Sequence, residues 1–238
     1  ETHSFGVSGK LIMNALVMFD YETLTLWSQF LGEAVRGELK GTKLEFLPVT
    51  HTTWELWLEA QPNTQVLDKN GGYRFDSYDG YYRGGSAGVI DERITDNRLD
   101  RKELLVGVRA GDATKAFPFE ELRRSRVVND AVGDLPVVVF FEAASETGLA
   151  YEREVDGRLL TLSIGGEGTG AAAAITDAET GTIWRMLPGG GIQGPLAGKT
   201  LKRAESFLSF WFAWKGWNPD TEIWVSDFGP DLTTPTPR

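Results

Sequence analysis

The 238 residues carry a formal net charge of −10, with 41% hydrophobic and 24% charged residues, a length and balance suited to one large globular domain or two smaller ones with a buried core. That acidity argues against a nucleic-acid backbone or an anionic membrane surface as partner, because neutralising phosphates takes clustered Lys and Arg. Without cysteine there is no disulfide, thiolate metal site or cysteine nucleophile within these residues, no apolar run approaches the ~20 residues of a bilayer span, and no leader is recognisable at the start.

In chain order, Leu11–Phe19 reads as a strand, Asp20-Tyr21-Glu22-Thr23 as a polar turn and Leu24–Phe30 as a second strand, together a hairpin. Thr52 and Glu55 have capping-box spacing ahead of a short helix. Trp54 and Trp57 share one face of that helix, Pro62 stops it, and Thr64–Leu67 follows as a strand. Residues 68–100 are polar and rich in Gly and Tyr, a long connector. Leu104–Arg109 and Thr114–Phe117 form a hairpin across Gly111-Asp112, and Phe119–Arg124 makes a helical turn or two whose basic end, Arg123, Arg124 and Arg126, is solvated. Val127–Val128, Val137–Phe141, Leu149–Arg153 and Arg158–Ser163 are strands between Gly and Asp turns. Ala171–Thr176, the turn Asp177–Gly181 and Thr182–Leu187 make another hairpin. A helix capped by Ser209, carrying Trp211 and Trp214 and stopped by Pro219, precedes a strand over Thr221–Val225 and a loose Thr/Pro-rich tail.

Sliding the sequence against itself by 157 residues, without gaps, lays residues 5–67 on 162–224. Identical pairs include Asp20/Asp177, Glu22/Glu179, Thr23/Thr180, Thr25/Thr182, Gly37/Gly194, Gly41/Gly198 and Pro62/Pro219. Six of the eight tryptophans fall into three matched pairs, Trp27/Trp184, Trp54/Trp211 and Trp57/Trp214. So long a period points to duplicated domain halves, not to a solenoid, and the paired indoles are expected in the core. The expected fold is a β-dominated α+β class, a duplicated antiparallel hairpin unit in two pseudo-repeats with one short Trp-rich helix each. Residues 1–67 would be the C-terminal half of a first repeat, 68–100 the connector, 101–229 a complete second repeat and 230–238 the tail.

The runs Phe5–Gly9, Met18–Gln29, Gly32–Gly37, Val127–Asp130 with Gly133–Pro136, and Ser209–Trp214 resemble the DUF3179 family of uncharacterised proteins along nearly the whole chain. The resemblance implies no settled activity. It does imply an extracytoplasmic site, since bacterial and archaeal members often carry an export or lipoprotein leader. The family pattern also has His-Glu before the Val-Asn-Asp segment and Cys-Pro-Leu-Cys after it. Here Ser125-Arg126 and roughly Glu142–Ser145 stand in those places, so the corresponding residues would lie on the front half that the first repeat lacks.

Several local patterns compete for a chemical role. Gly84–Gly88 fits G-x-S-x-G, but both histidines, His3 and His51, lie upstream and the flanks read as loop, so a glycine loop is expected. Gly189–Gly194 fits G-x-G-x-x-G, but Pro195-Leu196-Ala197-Gly198 does not continue as a helix, which points to tight turns. Two histidines without metal-ligand spacing predict no metal site, and no cofactor is expected. Asp20/Glu22 and Asp177/Glu179 sit where carboxylates cap turns. The densest positive feature is aromatic: Tyr73, Phe75, Tyr78, Tyr81 and Tyr82 beside Asp76, Asp79 and Arg83. Rings beside carboxylates can stack on sugars or peptides; the competing reading is that they cover the seam between the repeats. The candidate ligand site is therefore Tyr78, Asp79, Tyr81, Tyr82 and Arg83. The first functional expectation is a non-catalytic extracytoplasmic binding or scaffold domain for a small molecule, glycan or protein. Its rival is an enzyme, or a metal or thiol redox protein, whose His and Cys lie in an absent segment; a cleft holding Asp130, Glu142 or Arg153 would favour it.

Overall fold

In the structure, a computed structural model that describes residues 2–68, 78–92, 94–165 and 174–227, four strands come first: β1 (Phe5–Ile12), β2 (Ala15–Asp20), β3 (Leu26–Ser28) and β4 (Glu33–Arg36). Helices α1 (Trp54–Ala60) and α2 (Asp79–Arg83) follow, then β5 (Leu104–Ala110), β6 (Ala113–Pro118) and α3 (Phe119–Arg124). Next come β7 (Val127–Val132), β8 (Leu135–Glu142), β9 (Thr147–Glu152) and the two-residue pair β10 (Glu154–Val155) and β11 (Arg158–Leu159). The chain continues through β12 (Leu162–Ile164), β13 (Ala174–Asp177), β14 (Ile183–Arg185), β15 (Gly191–Gln193), β16 (Ser206–Phe210), α4 (Trp211–Trp217) and β17 (Glu222–Ile223). The fold is thus β-dominated, with mainly antiparallel sheets and a few short helices. The connector residues 69–77, Ala171–Ala173 and the tail beyond residue 227 lie outside the described residues.

The expected strand over Leu11–Phe19 is broken in two. Met13 and Asn14 adopt φ of 49° and 65° and fold β1 back onto β2, the paired positive φ of a two-residue hairpin that asparagine tolerates. The Asn14 side chain then ties down another segment: its Oδ1 accepts from the N–H groups of Val89 and Ile90 at 2.9 and 3.0 Å, and its Nδ2 donates to the Asp91 carbonyl at 2.9 Å.

Two of the sheets have the same internal register, 157 residues apart. In β1-β2-β3-β4, Phe5 faces Asp20, Met18 faces Trp27 and Trp27 faces Ala34. In β12-β13-β14-β15, Leu162 faces Asp177, Ile175 faces Trp184 and Trp184 faces Gly191. Both ladders slip at the same step, between Leu26 and Trp27 and between Ile183 and Trp184. Beyond the last strand Gly37 (φ 118°) and Gly194 (φ 113°) cross close over Thr25 and Thr182, where a Cβ would come within 2.7 Å of the threonine α-carbon or hydroxyl. Only glycine suits both the φ and the gap.

Packing groups the described residues within Glu1–Leu47, Arg74–Lys102 and Phe210–Pro219 into one unit and the remainder into another. In the larger unit β7-β8-β9 is the middle layer. Val138 and Phe140 of β8 enter a core with Leu149, Tyr151, Trp184 and Leu56, while Val137, Val139 and Phe141 enter a second core with Val106, Phe117 and Leu122. A strand buried on both faces needs consecutive apolar residues, hence the run Leu135–Phe141. Burying a side chain such as Phe140 contributes about 2–3 kcal/mol.

The helices are distributed crosswise. Helix α1, from the N-terminal third, packs into the core with Trp184 of β14, and α4, near the C-terminus, packs in the unit of β1–β4, with Trp217 stacked 5.0 Å from Phe30. Trp27, Trp184, Trp211 and Trp214 are buried, but Trp54 is 52% exposed, against the expectation of a core residue. At about 100° per residue, the buried stripe of α1 centres between Leu56, Trp57 and Ala60, which leaves Trp54 at its edge. The caps differ too. Thr53, not Thr52, accepts from the Leu56 N–H (3.3 Å), while the Thr52 hydroxyl accepts from Thr147 (2.8 Å). α4 follows Phe210 without a side-chain cap, so Ser209 is not its cap. Thr64–Leu67 forms no strand; Thr64 instead accepts the Trp57 indole N–H at 2.8 Å.

The hairpin turns make the comparison testable at one pair of positions. Leu24 is forced to φ 58° where Gly181 adopts 69°, a region that costs a side-chain-bearing residue about 1–2 kcal/mol. Gly181→Leu is expected to destabilise by about 1 kcal/mol, while Leu24→Gly is neutral or stabilising, read from urea unfolding midpoints. Destabilisation by both would contradict the equivalence of the turns.

Candidate functional site

The polar group at the turn after β2 is built around one buried carboxylate. Asp20 has no exposed surface, and its Oδ1 accepts the Thr23 N–H at 2.5 Å and its Oδ2 the Trp27 indole N–H at 2.8 Å. The Thr23 hydroxyl donates to the same carboxylate (2.8 Å) and lies 2.7 Å from the Thr25 hydroxyl. Glu22 accepts the Ser4 N–H through both oxygens, at 3.1 and 3.0 Å. His3 completes the group, its Nδ1 3.9 Å from Asp20 and 3.7 Å from Glu22.

The atoms of His3, Asp20 and Glu22 that could ligate a metal lie within 4.8 Å of one another. The carboxylates nevertheless make the same bonds where no histidine is present. Asp177 accepts the Thr180 N–H at 2.5 Å and the Trp184 indole at 2.8 Å, and Glu179 accepts the Thr161 N–H at 2.7 Å. Leu160, fully buried, occupies the position 157 residues after His3. The turn alone accounts for both acidic pairs, in keeping with their reading as turn residues.

The tyrosine segment is brought together only in part. Tyr81 and Tyr82 meet edge to face at 6.0 Å, and both approach Phe210. The Lys102 ammonium sits 3.9 Å above the Tyr81 ring and donates to the carbonyls of Tyr81 and Gly84. Burial pushes the Tyr81 phenol up. Tyr78 and Tyr82 remain exposed, and Asp79 and Arg83 pair with each other at 3.0 Å on the surface, a pair of small energetic value. Tyr73, Phe75 and Asp76 lie outside the described residues.

Asp130, Glu142 and Arg153 are not gathered into one group. Asp130 pairs with Lys115 at 3.0 Å, and Lys115 also reaches Glu222 at 3.1 Å. Burial disfavours the Lys115 ammonium, but the two carboxylates outweigh that and raise its pKa. Arg153 donates to the carbonyls of Leu160 and Asp130. Glu142 ends β8, five residues beyond the partner of Asp130, Val137, roughly 17 Å along a strand. Burial raises the Glu142 pKa, but the hydroxyl and N–H of Ser145 and the N–H of Ala144, with Arg126 nearby, bring it below the usual value.

The glycine motifs are structural. Ser86 lies in a loop after α2, without the strand and helix of a nucleophile elbow, and Gly191–Gln193 is the strand β15, not the start of a helix. The sequence reading passes over two cations, one buried and one half-buried. Lys215 is 1% exposed and faces Glu92 at 3.2 Å, with Arg101 on the other oxygen of that carboxylate at 2.8 Å; the second is Arg203. Their signal is a mismatch, since at the 157-residue offset they stand opposite Leu58 and Phe46.

Comparison with known proteins finds one family, described as a protein of unknown function (DUF3179), matching residues 1–221. No curated protein and no solved structure matches.

Burial raises the Asp20 pKa, but the Trp27 indole and the N–H and hydroxyl of Thr23, with His3 nearby, hold it at about 2 against an ordinary 3.8. A depressed carboxyl stabilises the fold fully above its unfolded value, and that contribution fades as pH falls from about 3.8 to about 2. A carboxyl-detected NMR titration should place Asp20 near 2, and Trp27→Phe should move it up toward 3.8. An unmoved value in that variant would contradict the indole's role.

Proposed function

This chain belongs to the DUF3179 family, a family of unknown function, and we propose that it is a non-catalytic binding or scaffold domain, acting outside the cytoplasm, for a small molecule, glycan or protein. One observation supports a non-catalytic role. Asp20, Asp96, Glu142, Asp177 and Glu179 are all held below their ordinary pKa, while Lys115, Tyr81 and Tyr151 are raised. Each displaced group moves away from neutrality and so keeps its ordinary charge state. General acid–base work asks for the reverse, a carboxyl lifted or an amine lowered toward pH 7. Those carboxylates spend their oxygens on turns and on cations, which is scaffold work. The exposed rings of Tyr78 and Tyr82 provide the kind of surface on which sugars and peptides stack. The extracytoplasmic location rests on the leaders common among relatives, and fractionation of the full-length protein into cytoplasm alone would remove it. Among the described residues no helix is long and apolar enough to cross a membrane.

The chain is also, on this reading, a duplicated unit whose halves exchanged helices. The recurring register, the recurring turn and the crosswise helices α1 and α4 support it, and the paired substitutions at Leu24 and Gly181 test it.

A thermal-shift panel of glycans, peptides and small metabolites tests the binding role. At least one class is expected to raise Tm in wild type and in Asp130→Asn and Glu142→Gln alike. A glycan or peptide hit should weaken in Tyr78→Ala/Tyr82→Ala. Chemical turnover of any panel member that disappears in Asp130→Asn or Glu142→Gln would contradict the reading.

A further inference from the structure

The outer edge of β12 is closed by a side chain. Asn129 of β7 turns its amide onto Leu162, accepting from the Leu162 N–H at 2.9 Å and donating to the Leu162 carbonyl at 2.8 Å. Both backbone groups of Leu162 therefore point away from β13, the geometry of a non-hydrogen-bonded pair with Asp177. One amide meets a donor and an acceptor of the same residue, as a neighbouring strand would. Val127 stands two residues before Asn129 and so on the same face of β7. It packs against the core that holds Leu162, which is only 1% exposed.

The matching edge of the other similar sheet is open. Phe5 faces Asp20 as Leu162 faces Asp177, and the flanking bonds recur: the Ser4 carbonyl accepts from Tyr21 as the Thr161 carbonyl accepts from Ala178. In that register the N–H and carbonyl of Phe5 point away from β2. β1 ends its sheet, and among the described residues no strand or side-chain amide meets those two groups. Phe5 is 39% exposed where Leu162 is covered, and its ring stands edge-on to Trp27 at 5.6 Å. Sheet edges are ordinarily blunted by charge or by a bulge. The opposite edge, β4, has a charged residue at each end, and Glu33 is bridged to Lys43. Phe5, Gly6 and Val7 carry no charge, and the bulge of β1 comes only after them, between Val7 and Lys10.

We propose that the β1 edge at Phe5 takes an extended strand of another polypeptide, one carrying asparagine with an aliphatic residue two positions before it. The asparagine amide bonds the N–H and carbonyl of Phe5 as Asn129 bonds those of Leu162, and the aliphatic residue covers the Phe5 ring. Strand addition of this kind draws affinity from main-chain groups and specificity from alternate side chains. A second copy of this chain does not supply the strand from β7, because its Asn129 is already engaged on its own Leu162. The inference rests on the binding reading above and gives it a ligand class and a location.

The probes are a blocked peptide with the sequence of residues 126–132, Arg-Val-Val-Asn-Asp-Ala-Val, and its Asn129→Leu counterpart, each titrated into the intact chain and followed by amide NMR. The first should bind in the millimolar range with shifts centred on Phe5 and Val7. The leucine peptide should bind roughly tenfold or more weakly, since two hydrogen bonds are lost. Phe5→Pro removes the N–H at an edge position where proline is tolerated and should lose a similar factor, while Phe5→Ala keeps the N–H and should lose less. Should Phe5→Pro fail to fold by circular dichroism, the two peptides in wild type decide alone. Equal affinity for the two peptides, shifts away from β1, no binding at tens of millimolar, or dimerisation of the chain alone that buries Phe5 each overturns the proposal. A hit for another ligand class in the thermal-shift panel alongside any of these would leave the binding reading standing and remove only this site.

Discussion

A buried carboxylate that accepts an indole N–H at the turn of a hairpin is the constraint on which both similar sheets depend. Asp20 and Asp177 have almost no exposed surface, yet each stays ionised. Burying such a charge is tolerable only with a full set of donors, and each set comes from the residues that make the turn. The threonine three residues on supplies its N–H and hydroxyl, and the tryptophan seven residues on supplies its indole. One group thereby fixes the turn, the rotamer of a large core side chain and the register of strands β2 and β3, or β13 and β14. A charge so held makes slipped registers expensive, because a one-residue shift would strip it of donors.

Much of this was legible in the sequence because the determinants are local. The pattern Asp-x-Glu-Thr-x-Thr-x-Trp carries its own donors and acceptors, and the glycines at 37 and 194 mark a close crossing. The β5–β6 hairpin and helix α3 also lie where turn residues and apolar runs put them. What was not legible depends on partners far along the chain. Asn14 reads as an interior strand residue until the segment it ties down, 75 residues on, is in place. Trp54 matches Trp211 in sequence, but α1 and α4 belong to different units, and the stripe that α1 buries turns Trp54 outward. The crosswise placement of the helices leaves no mark on the periodicity of either.

The candidate functional residues follow the same division. The acids and tyrosines singled out by composition are largely absorbed by local bonds: Asp79 by Arg83, Asp130 by Lys115, Glu142 by Ser145 and Tyr81 by Lys102. The residues that stand apart are those that break the sequence match at the 157-residue offset. His3 replaces Leu160, Lys215 replaces Leu58 and Arg203 replaces Phe46. Each puts a polar or charged group where the residue at the offset position is apolar. Such differences are the positions to probe first for function.

The direct test of the central constraint is hydrogen exchange at two atoms, the indole N–H groups of Trp27 and Trp184. Both should be among the slowest side-chain protons to exchange near neutral pH, and both should lose protection together as acid titrates the carboxylates they face. Rapid exchange at either indole, or protection that survives Asp20→Ala and Asp177→Ala, would contradict the account.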